Sequence, residues 1–539
     1  MPTVNILLLP DRINLQELSE HHLFTSIPNF HRDKLAYLIF IEHYVRSISP
    51  TNVKENNNYT MLPSAMLQRA VREYRKYYKA LSTLGIMSCD NTYSEDDHIS
   101  MGYLLNPEYR SDFVVEYELT SISIVKAMKR LTKNANNELP EYRYLTKWFN
   151  EKLQIDTVLA NGFYTLYKDM LNATQMIEWI ESFDRLPTRD EDTGKRPYIE
   201  PVYQQYKIYR IAHGYYPISV DDTSYRLHTN LTSLKSELRN ALTYDNKPLV
   251  SLDLSNSQPY LSLVLFNPQF WIQPTPTPEG FSEFITKIKG VGTSDRPPSK
   301  ETLPTHKTSI HITDFEQIDN YLARTDIPNS IHNTTPLIIP LINLVISRQY
   351  TENEDVKEYC RLASIGKVYE RVADKWREAG LKVPEQRSEL KGAVFQALFT
   401  ANQFQAADAA LPKRIFKRAF PNVMKLFEII KRREPKQLPI LLQSIESRLF
   451  LKVIAKRIKN ERPRLPIFTI HDSIVTTEGN EDYVKSVMEQ ELMNAIGFEP
   501  TINIERYSAN NLKRIIADKA IEVGELYYQL STYSKSTGA

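Results

Sequence analysis

A chain of 539 residues is longer than one hydrophobic core organises, and 42% hydrophobic with 24% charged residues describes an ordinary soluble protein of about two to four domains. A net charge of only +2 announces no nucleic-acid partner, so any basic footprint must be local. Two cysteines, Cys89 and Cys360, cannot by themselves build a disulfide framework or a zinc site, which fits a reducing cytoplasm, and no apolar stretch approaches a membrane span. Few glycines (15) point to a helix-rich chain. Tyrosine is abundant (32) and suits either base stacking or core filling, the latter being commoner. The opening MPTVNILLLPDRINLQELSE holds a short apolar run without a basic flank or cleavage site, so no signal peptide is expected.

Asp33 to Ser47 carries Leu35, Leu38, Ile39, Ile41 and Val45 at helical spacing. Pro63 to Leu84 predicts a longer helix, with Pro63-Ser64 as its start and Gly85 as its stop. That stretch interleaves Arg69, Arg72, Arg75, Lys76 and Lys79 with Tyr74, Tyr77 and Tyr78. Two strands around a polar loop follow in IMSCDNTYSEDDHISMGYLLN. Helix, basic helix and hairpin is the order of a winged-helix module, whose basic helix would lie against DNA. The competing reading is a solvated basic helix packed by its tyrosines.

Glu116 to about Thr223 reads as several helices, with no strand ending in Asp-x-Glu and so no signature of a metal-dependent exonuclease. In KPLVSLDLSNSQPYLSL an apolar strand, Leu249 to Leu252, leads to Asp253 and a polar turn. Gln273 to Thr313 is rich in Pro, Thr, Ser and Lys and reads as an exposed insertion. Ile338 to Ile346 is apolar, and Asp355 to Ala379 is helical. In RSELKGAVFQALFTANQ, Arg387, Lys391, Phe395 and Phe399 recur every four residues, forming one stripe that winds by about 40° per step. Two cations a turn apart can grip a triphosphate and a ring beyond them can stack on a base; a basic pair leading into two core phenylalanines is the plainer reading.

Pro412 to Gln437 is basic and helical with Phe416 and Phe420 inward, able to track a phosphate backbone or to be a solvated face. Leu438 to Lys459 is a helix entering PIFTIHDSIVTT. There Ile467 to Ile470 and Ile474 to Thr477 are β-formers around His471, Asp472 and Ser473: two short strands and a tight turn. A helix, Tyr483 to Ile496, and a strand, PTINIERY, close the pattern, and the tail beyond Ser534 reads as disordered. An Asp in such a turn commonly bonds only its own backbone. Two strand-end carboxylates far apart in sequence, Asp253 and Asp472, can instead meet across one sheet and hold two divalent cations for phosphoryl transfer.

Taken in this order, the stretches from about Ser224 to Tyr507 resemble the family A DNA polymerases, the group that includes bacterial DNA polymerase I, and their relatives the phage-type single-subunit RNA polymerases. LRNALTYDNKPLVSLDLS is similar to motif A, with Asp253 at the metal-binding Asp and Arg239 at the upstream Arg. RSELKGAVFQALF resembles motif B, R-x3-K-x3-F-x3-Y, with Phe399 in place of the usual Tyr. TIHDSIVTT resembles motif C, with Asp472 as the second metal ligand and His471 beside it. YRLH resembles the G-R-L segment, setting Arg226 by the duplex. LLQSIES resembles the Q-G-T-A-A-D helix, setting Gln443 by the primer-template minor groove.

The resemblance implies an α+β right-hand fold of palm, fingers and thumb. Residues 1–115 are then a winged-helix-like domain, 116–223 a helical thumb-like region, 224–266 palm, 267–437 fingers with an inserted loop, and 438–539 palm and tail. It implies template-directed primer extension with two Mg²⁺ ions, or Mn²⁺ in their place, on Asp253 and Asp472. Arg387 and Lys391 would hold the triphosphate, Lys391 would protonate the leaving group, Phe395 would lie by the sugar and Phe399 by the templating base. Partners would be primer-template DNA, nucleoside triphosphates and processivity or replication-initiation proteins, with no membrane. By analogy the setting is a phage or mobile element in a bacterial cytoplasm.

Three departures bear on this. Gln258 stands where the DNA enzymes carry the Glu that excludes a ribose 2′-OH, and an amide both donates and accepts. Ser473 follows the RNA enzymes' H-D-S pattern, while Phe395 and its spacing in motif B lean to the DNA enzymes. The family's D-I-H segment has no counterpart, although Lys367 in IGKVYER occupies that region. A single-subunit RNA polymerase and a non-catalytic replication initiator or DNA-binding scaffold are the alternative readings.

Overall fold

The computed structural model describes residues 6–48, 59–90, 100–109, 114–131, 139–183, 200–267, 353–383, 387–404, 408–432 and 434–536. The stretches Gln273 to Thr313 and Ile338 to Ile346 lie outside them. The chain divides into two units: Met1–Ser219, His228–Leu249 and Arg506–Ala539 form one, Val220–Leu227 and Val250–Glu505 the other. Among the described residues no helix is long and apolar enough to cross a membrane.

In the first unit the apolar run near the start is a strand, Ile6–Pro10, paired antiparallel with Val114–Glu118 in the register Ile6↔Glu118 to Pro10↔Val114. Leu7, Leu8 and Leu9 are all buried, so both faces of the strand are covered. Its outer edge is closed by tyrosines of the helix Glu200–Ala212: Tyr206 donates to the Leu8 carbonyl at 2.9 Å and Tyr209 to the Ile6 carbonyl at 2.6 Å. Much of the tyrosine is therefore core carrying a hydroxyl that satisfies backbone acceptors.

The predicted first helix spans Arg32–Ile48. The single helix expected over Pro63 to Leu84 is instead two, Ser64–Ala70 and Tyr74–Thr83. Val71 breaks it by turning extended (φ −133°, ψ 100°) while burying its branched side chain completely. Tertiary burial outweighs the continuing helical periodicity here. A three-stranded antiparallel sheet follows, with Gly102–Leu105 between Thr60–Met61 and Met87–Cys89.

The same unit holds a small sheet of Leu153–Ile155, Leu242–Tyr244 and the first residues of the strand Lys247–Leu254. Asp245 and Asn246, with φ of 52° and 60°, make the tight turn between the last two. Two positive-φ residues joining two strands is the geometry that Asn, Asp and Gly favour. The long helix Thr157–Phe183 packs on Ala509–Ser536. The latter runs two residues past Ser534, and the rest of the expected tail lies outside the described residues.

In the second unit the hairpin Ile467–Ile470 and Ser473–Thr477 pairs Ile470 with Ser473, leaving a turn of His471 and Asp472 alone. Beside Ser473–Thr477 runs the strand ending at Leu254, with which Ile502–Arg506 also pairs. The helix expected over Asp355 to Ala379 is two, Glu354–Ser364 and Val368–Glu378, broken at Gly366, whose φ of +74° suits glycine. The basic stretch is also two helices, Leu411–Ala419 and Pro421–Ile430, with Phe416 and Phe420 fully buried. Tyr359 joins these helices to the segment after Asp253. Its ring meets Phe420 at 5.2 Å and Phe266 at 6.0 Å, and its hydroxyl lies 2.8 Å from Ser262 Oγ. One continuous helical run, Gln437–Ser447, π-helical Arg448–Ile454 and Ala455–Glu461, leads into the hairpin.

Candidate functional site

The hairpin strands are buried along their whole length, whereas His471 and Asp472 at the tip are half-buried. The turn presents its polar pair where water and ligands reach it and nowhere else. His471 sits at φ 53°, a left-handed conformation that Asn, Asp and His adopt more readily than other residues with a side chain, which suits it to the turn. Ser473 is a buried strand residue whose hydroxyl donates to the Ile470 carbonyl at 2.9 Å, strapping the turn from inside.

Asp253 is half-buried between fully buried Leu252 and Leu254, so the alternation of the strand turns it away from the core. The amide of Leu254 donates to the carbonyl of Asp472 at 3.1 Å. The backbones carrying the two carboxylates are thereby tied together, across a sequence separation that no local turn spans. The amide of Ser255 donates to the Thr501 carbonyl at 2.9 Å, and Asn256 at φ 59° starts the helix Ser257–Leu261.

Below the hairpin tip lies a residue that sequence reasoning missed. Glu446, on the helix Gln437–Ser447, is 1% exposed. It accepts from Arg226 Nε at 2.9 Å, from Arg226 Nη2 at 3.0 Å and from Gln258 Nε2 at 2.7 Å. Burial pushes its carboxyl up to about 7, and the charge of Asp472 adds to that rise against the opposing pull of Arg226 and Gln258. Arg226 is itself held in a tight loop, where Asp221 accepts from the amides of Thr223, Ser224 and Arg226 at 3.0, 2.5 and 3.0 Å. A signal for Glu446 existed: it falls on the apolar stripe of Leu438, Leu441, Leu442 and Ile445, where a carboxylate demands a partner.

Two of the expected site residues share this carboxylate. Arg226, expected at the duplex, commits its guanidinium to Glu446. Gln258 is 7% exposed and spends its amide N–H on the same carboxylate, leaving its Oε1 without a partner among the described residues. Gln443 stands half-buried on the Glu446 helix. Arg239 belongs to the other unit, in the turn Glu237–Ala241, half-buried with its Nε unpartnered among the described residues.

The helix Arg387–Phe399 buries Ala393, Val394, Ala397 and Leu398. Its phenylalanines are therefore not the core residues of the plainer reading. Phe395 and Phe399 are half-buried and stacked at 5.2 Å, and the exposed Lys391 lies over Phe395 at 5.1 Å. Arg387 opens the helix; its side chain lies outside the described residues. Lys367 is exposed at the N-terminal cap of the neighbouring helix.

Two lysines of the basic stretch, read as backbone-tracking or solvated, are buried instead. Lys413 Nζ donates to the Ala401 carbonyl at 2.6 Å, and Lys431 Nζ to the carbonyls of Thr400 at 3.0 Å and of Ala397. They close the carbonyl end of the helix Arg387–Phe399, where a cation also answers the helix dipole. Burial, with repulsion from Lys413, pulls the Lys431 ammonium down to about 7.

Among the described residues no group of three or more His, Cys, Asp or Glu side chains is arranged to hold a metal ion. The donor set of Asp253 and Asp472 fits Mg²⁺ nonetheless. That ion is commonly held by one or two carboxylates plus substrate phosphates and water, not by an all-protein cage.

No family model matches the chain, and no curated protein matches it. Among solved structures it is similar to the POL domain of Pol1 from M. smegmatis, in complex with DNA primer-template and dNTP, at 13% identity and a TM-score of 0.29, covering 72% of this chain and 74% of that one.

Proposed function

We propose that the chain is a template-directed nucleotidyltransferase that extends a primer with nucleoside triphosphates on a right-hand polymerase fold. The observation that carries this reading is that the backbones bearing two far-separated strand-end residues, Asp253 and Asp472, are joined by the Leu254 N–H to Asp472 C=O bond of 3.1 Å. Either Asp alone has a plain structural explanation. Two strand ends joined by a backbone hydrogen bond, each with a half-buried Asp, supply the arrangement that two-metal phosphoryl transfer would use.

Asp253 and Asp472 would hold two Mg²⁺ ions, which when bound lower the charge on the attacking 3′-oxygen and steady the leaving pyrophosphate. Lys391 supplies a cation for the β- and γ-phosphates, with Arg387 one turn earlier on the same helix, and Lys391 returns a proton to the leaving group. Phe395 and Phe399 offer stacked, partly open faces to the sugar and base. Glu446, Arg226 and Gln258 form a buried hydrogen-bonded network close enough to Asp472 for its charge to be felt at Glu446. Positioning and charge suffice for this chemistry; no covalent protein intermediate is needed.

A second reading, use of ribonucleotides, is favoured by Gln258. One N–H of its amide is bonded to Glu446 and its Oε1 has no partner among the described residues, so a neutral amide stands here in place of the carboxylate that would exclude a sugar hydroxyl. Primer extension on a primed DNA template with Mg²⁺ tests both readings, with Asp472→Ala as blank. Deoxynucleotide-only extension supports a DNA polymerase, whereas ribonucleotide extension or unprimed product supports an RNA polymerase. No incorporation of either, with DNA still bound, overturns the enzyme in favour of a DNA-binding scaffold.

A further inference from the structure

The basic helix near the start of the chain is not used by the catalytic reading, and its surroundings have a recognisable build. The helix Arg32–Ile48 leads to the short strand Thr60–Met61 and then to Ser64–Ala70 and Tyr74–Thr83. Only Val71, Arg72 and Glu73 separate the last two, which is the short connection of a helix-turn-helix. The hairpin that follows adds to Thr60–Met61 so that its second strand lies in the middle of a three-stranded sheet. The base of that hairpin is pinned. Asp90 accepts from the Gly102 amide at 2.9 Å and its own amide donates to the Gly102 carbonyl at 3.1 Å. A Cβ at Gly102 would come within 2.7 Å of the Asp90 carboxylate, so the pin needs glycine.

The orientation of the helix Tyr74–Thr83 is locked by its tyrosines. Tyr77 accepts from the His31 amide at 3.2 Å, and Tyr78 donates to the Leu38 carbonyl at 3.1 Å and stacks on Tyr103 at 4.1 Å. With Tyr74, Ala80 and Leu81 also buried, the opposite face is fixed outward. That face presents Arg75, Lys76 and Lys79, and Arg72 in the turn and Arg69 on the preceding helix are exposed with them. Against these five cations stands one nearby carboxylate on the same elements, Glu73, which lies 3.6 Å from Lys34. The helix has 10 residues, so it is about 15 Å long, and with side chains about 10–12 Å wide, the size a B-DNA major groove admits.

We propose that residues 32–48, 59–90 and 100–105 belong to a duplex-DNA-binding module that lays the Tyr74–Thr83 helix in the major groove, where Arg75, Lys76 and Lys79 meet the phosphates of the groove walls and Arg69 and Arg72 meet phosphates beside them. The helix-turn-helix order, the locked helix and a cationic face without matching acid all serve that partner. The inference does not depend on the catalytic reading, because its test measures binding and not synthesis.

The test is fluorescence anisotropy of the full chain with a blunt duplex lacking any primer-template junction, titrated over salt. The triple variant Arg75→Ala, Lys76→Ala, Lys79→Ala should bind at least tenfold more weakly at 0.15 M salt. Three lost phosphate contacts at about −0.9 each should flatten the log K against log salt slope by about 2–3. The control removes three exposed cations elsewhere in the same unit, Lys126, Lys129 and Arg130, and should leave both readings near the parent. Arg75→Lys, Lys76→Arg and Lys79→Arg together should restore the slope. Unchanged binding in the first variant overturns the proposal, as does equal weakening in both. Loss of binding to poly-aspartate with duplex binding retained would reassign the face to an acidic protein.

Discussion

Arg226→Met isolates the buried charge network under the hairpin tip. In the parent, the Glu446 carboxylate is 1% exposed and receives three N–H donors, two of them from the Arg226 guanidinium at 2.9 and 3.0 Å. Removing the cation leaves a buried carboxylate with one neutral donor, Gln258, and the charge of Asp472 nearby. Breaking a buried pair from one side costs about 3–5 kcal/mol, and the Arg226 side chain is 22% exposed, so the lower figure applies. About 3 kcal/mol corresponds to an opening constant on the order of 100-fold larger. Hydrogen exchange of peptides spanning Gln437–Ile454 reads that opening directly.

The sign with pH follows from the carboxyl's position at about 7. Losing Arg226 raises it further, so the variant's deficit is small at pH 6, where the parent's Glu446 is itself largely protonated, and grows toward pH 8. Arg226→Met with Glu446→Leu should recover most of the protection, because an apolar pair no longer strands a charge. Protection factors of Arg226→Met within threefold of the parent at pH 8, or a double variant no better than the single one, would refute the reasoning.

Asp253→Asn and Asp472→Asn, nearly isosteric, should each reduce nucleotide incorporation to background with circular dichroism unchanged; measurable steady-state synthesis by either would remove it from the metal set. Lys391→Ala should raise KM for the triphosphate about 10–100-fold, the worth of a hydrogen bond to a charged group of about 1.5–3 kcal/mol, with DNA affinity unaltered by filter binding. Lys431 is held at about 7 against an unfolded value of 10.5, so the unfolded chain binds the extra proton between those values and stability contributed by this group rises with pH across that window. Urea titrations of Lys431→Met should show that rise flattened between pH 7 and 10.

The hairpin was legible because two β-branched runs flank a single polar dyad, a pattern carried entirely by neighbours. The stripe of Lys391, Phe395 and Phe399 was legible for the same reason, since helical spacing is local. What sequence reasoning missed depends on distant partners. Glu446 finds Arg226 across 220 residues and Gln258 across 188, and nothing within its own helix announces either. Lys413 and Lys431 sit in a charge run that reads as solvated, and only the carbonyl end of a helix elsewhere in the chain explains their burial. The break at Val71 defeats periodicity because Val71 continues the apolar pattern of Leu67 while leaving the helix.

The tyrosine hydroxyls on the Ile6–Pro10 strand have a consequence for the order of folding. An apolar strand with bare carbonyls along one edge invites pairing with another chain. Here the edge is closed by Tyr206 and Tyr209, whose bonds span 198 and 203 residues. At about 5–20 residues per second of synthesis, the strand waits about 10–40 s for the groups that cover it. During that interval ILLLP is a ready site for mispairing or chaperone capture, so Tyr206→Phe with Tyr209→Phe would be felt first in the yield of folded chain and only later in its stability.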